Sequence, residues 1–149
     1  MKANRANDYL RTIKLAILIS VMGEATIFTI WGIFLYPEGS LLHKFIWTVV
    51  FCGLGMGSVT GSTIVLFVVG KFSETTSIVL CSFISLIFLG LFCNLLCLRL
   101  DLHFNYFGSG ETPVLFIVNG MSMSAIGGWL VGWLSFSSQG RSIATKLGL

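Results

Sequence analysis

Glu24 is the one charge-capable side chain set deep within an apolar stretch of this sequence, nine residues after Leu15. On a helix rising 1.5 Å per residue, that places it about 13–14 Å from the start of the stretch. An ionised acid left in hydrocarbon costs several kcal/mol, so the carboxyl must face other helices and be either protonated or well hydrogen-bonded. Hydroxyls at matching depth are available on every other apolar stretch: Ser58, Thr60 and Ser62 on the second, Ser82 and Ser85 on the third, Ser124 on the fourth. Ser20 and Trp31 share the helix face of Glu24, at i−4 and i+7. Two chemistries fit. Glu24 with Ser20, Thr60, Ser85 and Ser124 forms a polar site for a proton or ligand, or a neutral carboxyl bonds the hydroxyls and sets helix register, at about 0.6–2 kcal/mol per bond.

Two columns of small residues stand beside this layer. Gly53, Gly57 and Gly61 repeat every four residues, as do Gly120, Ser124, Gly128 and Gly132. Positions i and i+4 stack on one helix face, so each column is a stripe where another backbone can approach closely. Such stripes serve mainly as packing surfaces; lining a pore or cleft is the other use. The columns can face each other inside one bundle, or one can face outward and hold a partner's helix.

The elements that must position these residues follow from composition. The chain has 149 residues, 55% hydrophobic and only 10% charged, against roughly a quarter charged in soluble domains. Its apolar residues fall into four blocks long enough to cross a bilayer: Ile13–Tyr36, Phe45–Val69, Ser77–Leu98 and Pro113–Phe136. Short connections make consecutive helices antiparallel neighbours. The expected fold is all-α: a polytopic membrane protein with a single four-helix transmembrane domain over residues 1–149. The longer third connection, Arg99–Thr112, alternates apolar and polar residues and predicts a short extended or interfacial piece. Thr112 and Pro113 predict the start of the fourth helix, with Thr as its cap.

Charge sets the orientation. Lys2, Arg5, Arg11, Lys14, Lys71, Arg141 and Lys146 flank one face, and only Lys44 and Arg99 the other. Seven against two places both termini in the cytoplasm or an equivalent such as a stroma. Basic residues placed in this way anchor helices at lipid headgroups and do not read as a nucleic-acid surface. The first stretch is too long for a signal-peptide core and lacks a cleavage site after it, so it is expected to be retained as an anchor.

The remaining candidates are weaker. Cys52, Cys81, Cys93 and Cys97 all lie inside apolar blocks and read as small fillers; Cys93 and Cys97 share a face but have no further metal ligand nearby in sequence. His43 and His103 lie outside or at the interface, which leaves a pigment or haem ligand as their only special role and no cofactor as the expectation. No metalloprotease His-Glu-x-x-His, no Gly-x-Ser-x-Gly and no phosphate-binding Gly-rich loop is present, so no enzyme is expected.

Four spans with one membrane glutamate about ten residues into the first resemble the plan of small multidrug resistance transporters. This chain is longer, has a 14-residue third connection and lacks their glycine pattern on the third helix. Glycine columns near a membrane carboxylate also resemble rotary ATPase proteolipid subunits, although here the acid stands on the first helix alone. The favoured reading of the sequence is a non-enzymatic accessory or assembly subunit, packing on other membrane-protein helices or on copies of itself through its glycine faces. The alternative is a small proton-coupled transporter using Glu24. The third is a pigment- or haem-binding membrane subunit.

Overall fold

Each of the four apolar blocks becomes one long helix in the computed structural model, which describes residues 2–149, with side chains from Asn7 onward. Lys2 and Arg5 therefore lie outside the described side chains. α1 occupies Lys2–Ile27 and continues through Phe28–Leu35 in wider, π-type turns. α2 runs Leu41–Phe67, α3 Glu74–Phe104 and α4 Pro113–Phe136, all long and apolar enough to cross a membrane. The middles of α2 (Ile46–Met56) and α3 (Leu86–Cys93) are also π-wound. A short α5, Ser138–Lys146, follows α4. No strand occurs among the described residues. The fold is an all-α four-helix bundle with the architecture of a multi-pass membrane protein.

Local chemistry explains the helix ends. Ser73 Oγ accepts from the Thr76 amide at 3.4 Å and Glu74 stands in the first turn, so α3 starts with a cap and a favourable charge. Ser137 Oγ accepts from the Gly140 amide at 2.8 Å and starts α5. The α2–α3 turn passes through Gly70 at φ +75°, a conformation that disfavours any side chain.

Two sequence expectations are corrected here. Residues Arg99–Phe104 are helical, not extended: Asn94, Cys97 and Asp101 are buried at helical spacing, so the alternation hides a continuing face of α3. Asn105, in the left-handed region at φ 49°, ends it. Thr112 occupies the position before Pro113 but makes no capping bond; its Oγ1 lies 3.5 Å from the Tyr36 hydroxyl instead.

α1 packs on α2 and α4, and α4 packs on α3. The buried apolar residues form two separate cores. One, towards the end that carries the termini, includes Leu15, Ala16, Ile64, Val68, Cys81 and Val131. The other, towards the opposite end, includes Ile27, Trp31, Cys52, Leu89, Cys93 and Phe116. The polar level of Glu24 lies between them.

Candidate functional site

The approach of the helices around Glu24 is set by the glycines. A Cβ placed on Gly53 would lie 3.1 Å from Val21 Cα, on Gly57 2.8 Å from Ser20 Cβ, and on Gly61 3.0 Å from Ala16 Cβ. The first column therefore lies against α1. On α4, a Cβ at Gly128 would lie 2.6 Å from the Cys81 carbonyl oxygen and from Ser85 Cβ, and at Gly132 2.8 Å from Ile78 Cα. Gly120 faces the Asn94 side chain, which donates to the Gly90 carbonyl. The second column thus lies against α3. The columns do not face each other, and neither is turned to the outside of the bundle.

Between these two tight pairs a chamber of about 20 Å³ remains, room for roughly one water molecule. Ser20 and Glu24 from α1, Thr60 from α2, Ser85 from α3 and Ser124 from α4 all line it. The structure brings these five residues together, each buried. It does not join them by hydrogen bonds. Thr60 donates to the Met56 carbonyl at 2.7 Å and Ser124 to the Gly120 carbonyl at 2.7 Å, each one turn back on its own helix. No hydrogen bond among the described residues reaches the Glu24 carboxyl. The one hydroxyl that crosses between helices here, Ser82 to the Ala125 carbonyl at 2.7 Å, does so outside the chamber. Ser58 bonds the Leu54 carbonyl on its own helix and Ser62 is exposed, so neither takes part. Trp31 is buried one level away in the second core, stacked on Tyr36 and edge-on to Phe116.

One wall of the chamber is thin. Gly23 of α1 and Gly127 of α4 line it, and both are half-exposed. A Cβ on Gly23 would meet nothing within 4 Å. The chamber therefore lies close to the outer surface of the bundle between α1 and α4.

The end of the bundle opposite the termini is closed by two charged residues, Lys44, which the sequence places as a headgroup anchor, and Asp101, to which it gives no role. Lys44 is fully buried and donates from Nζ to the carbonyls of Gly32 at 2.9 Å, Tyr36 at 2.5 Å and Glu38 at 2.6 Å. These carbonyls belong to the end of α1 and its loop, where unpaired acceptors and a negative helix terminus favour a cation. Asp101 gathers the third connection: it accepts from the amides of Phe107 at 2.5 Å, Gly108 at 3.2 Å and Gly110 at 3.0 Å, and from the Ser109 hydroxyl at 2.7 Å. The signal was present as an Asp followed by Phe-Gly-Ser-Gly six to nine residues on, a run of amides able to converge on one carboxylate.

His43 and His103 are both exposed at this end; His43 stacks on Tyr106, His103 lies beside Phe104, and neither lines the chamber. Cys52 of α2 packs with Cys93 and Cys97 of α3 in the second core. Among the described residues no three His, Cys, Asp or Glu side chains form a metal-binding set. No family model matches this chain, and no curated protein or solved structure is significantly similar to it.

Proposed function

We propose that this protein is a non-enzymatic membrane carrier in which Glu24 takes up and releases a proton, alone or in exchange for a small cation. One observation carries the reading: a buried carboxyl lines a chamber with four hydroxyls, of which Thr60 and Ser124 bond carbonyls of their own helices and none bonds the acid among the described residues. A glutamate serving only to set register would hold those hydroxyls, and here it does not. The chamber's size suits a proton, a water or a small ion and no larger solute. Both glycine columns are engaged inside the bundle, which leaves neither free to hold a partner's helix. The test is proton flux in reconstituted vesicles with wild type and Glu24→Gln, alongside assembly yield. Loss of flux in a correctly assembled Gln variant supports the carrier; equal flux in both rejects it.

A second reading keeps one specific observation. Gly23 leaves open space on the lipid-facing side of α1 beside Gly127, a dent suited to a side chain from another membrane helix or a second copy. Under that reading the protein is an accessory subunit. Gentle extraction and native gels distinguish the two, since an assembly subunit co-migrates with a larger complex.

A further inference from the structure

Asn119 of α4 stands on the face turned away from the bundle. It precedes Ser124, which lines the chamber, by five residues, so at about 100° per residue it lies about 140° round the helix. Leu115, Ser122 and Ile126 share this outward face, and all four residues are exposed. The same count fixes depth. Ser124 is the twelfth of the 24 residues of α4, and Asn119 lies about 7–8 Å from its level. A hydrocarbon core about 30 Å thick and centred on that level ends about 15 Å away, so the Asn119 amide is well inside it.

An amide at that depth carries two donors and an acceptor oxygen that lipid tails cannot satisfy. The exposed threonines of the bundle meet the same demand on their own helices: Thr26 donates to the Met22 carbonyl at 2.9 Å, Thr29 to that of Ala25 at 2.7 Å and Thr63 to that of Val59 at 2.8 Å. Asn94, the asparagine of α3, is buried and donates to the Gly90 carbonyl. No hydrogen bond among the described residues reaches the Asn119 side chain. A bond to its own preceding turn would use one donor and leave the oxygen empty. We propose that the outward face of α4 pairs with the same face of a second copy of this chain, Asn119 to Asn119 across a two-fold axis. Two features select a copy over another partner. The amide is electrostatically self-complementary, so each donor meets the other's oxygen when the contact is two-fold. Copies inserted the same way also bring this group to one depth, whereas an unrelated helix must supply a polar group at that level. Beside the amides, the small Ser122 lets the helices approach, and Leu115 and Ile126 add apolar contact. The pairing is independent of Glu24, which lines the chamber inside each bundle.

Full-length chains carrying donor or acceptor dyes through Thr145→Cys, at an exposed position, are mixed in phosphatidylcholine vesicles, and energy transfer is followed as the protein is diluted in lipid. The four native cysteines are buried and stay unlabelled. Transfer that follows a monomer–dimer equilibrium is expected. Asn119→Leu adds only apolar surface to an outward face and leaves the bundle intact, and it should raise the dimer dissociation constant about tenfold, the size of an interhelical amide bond in a membrane. Asn119→Gln keeps the amide and should stay closer to wild type. Copper-phenanthroline oxidation of Ser122→Cys should trap a dimer, whereas Val59→Cys, 45% exposed on α2, should not. Transfer no greater than random proximity at every dilution, undiminished pairing in Asn119→Leu, or equal trapping through Val59→Cys overturns the proposal and leaves this face to lipid or to a different protein.

Discussion

At the scale of single residues, burial divides the ionisable groups of this chain into two kinds. Lys44 and Asp101 are buried with their bonding capacity filled by backbone groups and, for Asp101, the Ser109 hydroxyl, whereas Glu24 is buried beside Thr60 and Ser124, whose hydroxyls bond their own helices. The first kind should act on stability. Lys44→Met leaves three carbonyls without their charged donor and is expected to destabilise the bundle by about 2–3 kcal/mol; Asp101→Asn presents an amide to a ring of donors and should cost a similar amount. Thermal unfolding in detergent checks both, and unchanged melting for either variant shows that solvent replaces the lost bonds. The second kind should act on activity. Glu24→Gln keeps the shape of the side chain and lacks an exchangeable proton, so melting should stay close to wild type while proton flux vanishes. Parallel loss of melting temperature and flux would instead return Glu24 to a structural role.

At the scale of elements, the glycines are not equivalent. Gly57 and Gly128 stand where a new Cβ would meet Ser20 at 2.8 Å and the Cys81 carbonyl at 2.6 Å, so even alanine forces the helices apart. Overpacking of this kind costs about 1–3 kcal/mol, and leucine at either site should sharply lower the yield of folded protein. Gly23 is the control on the same bundle. With nothing within 4 Å, Gly23→Ala gains up to about 1 kcal/mol from helix propensity and loses no packing. Yield and melting temperature of the three alanine variants form one experiment. If Gly57→Ala and Gly128→Ala melt no lower than Gly23→Ala, the columns do not bring the helices into contact.

At the scale of the whole molecule, two apolar cores lie on either side of a polar level at Glu24. Lys44 and Asp101 tie down one end, and a cavity lined by Asp8, Thr12 and Arg141 marks the other. The excess of basic residues at the latter end predicts that it faces the cytoplasm. Single cysteines introduced into a cysteine-free background test this: position 145 should be labelled only from inside, and positions 41 and 105 from outside. All three sites are exposed, so the reagent's access reports the side of the membrane. Labelling of position 145 from outside in sealed cells reverses the orientation.

The number of helices and their approximate bounds were legible in the sequence because a span needs about 20 apolar residues, and hydropathy counts them without knowledge of neighbours. The depth of Glu24 and of its hydroxyl companions was legible for a similar reason: the rise per residue is constant, so Ser20, Thr60, Ser85 and Ser124 could be matched by level. Azimuth was not. Helical spacing shows that Gly53, Gly57 and Gly61 share a face, but only the packed bundle decides that this face meets α1 and that the Gly120–Gly132 face meets α3. Hydrogen-bond choice was equally hidden, since a serine in a membrane helix can bond its own preceding turn or a neighbour, and the outcome depends on ångström-scale distances between helices. The roles of Lys44 and Asp101 belong to this second class. Each depends on groups brought together from different parts of the chain, and no local pattern of spacing contains that information.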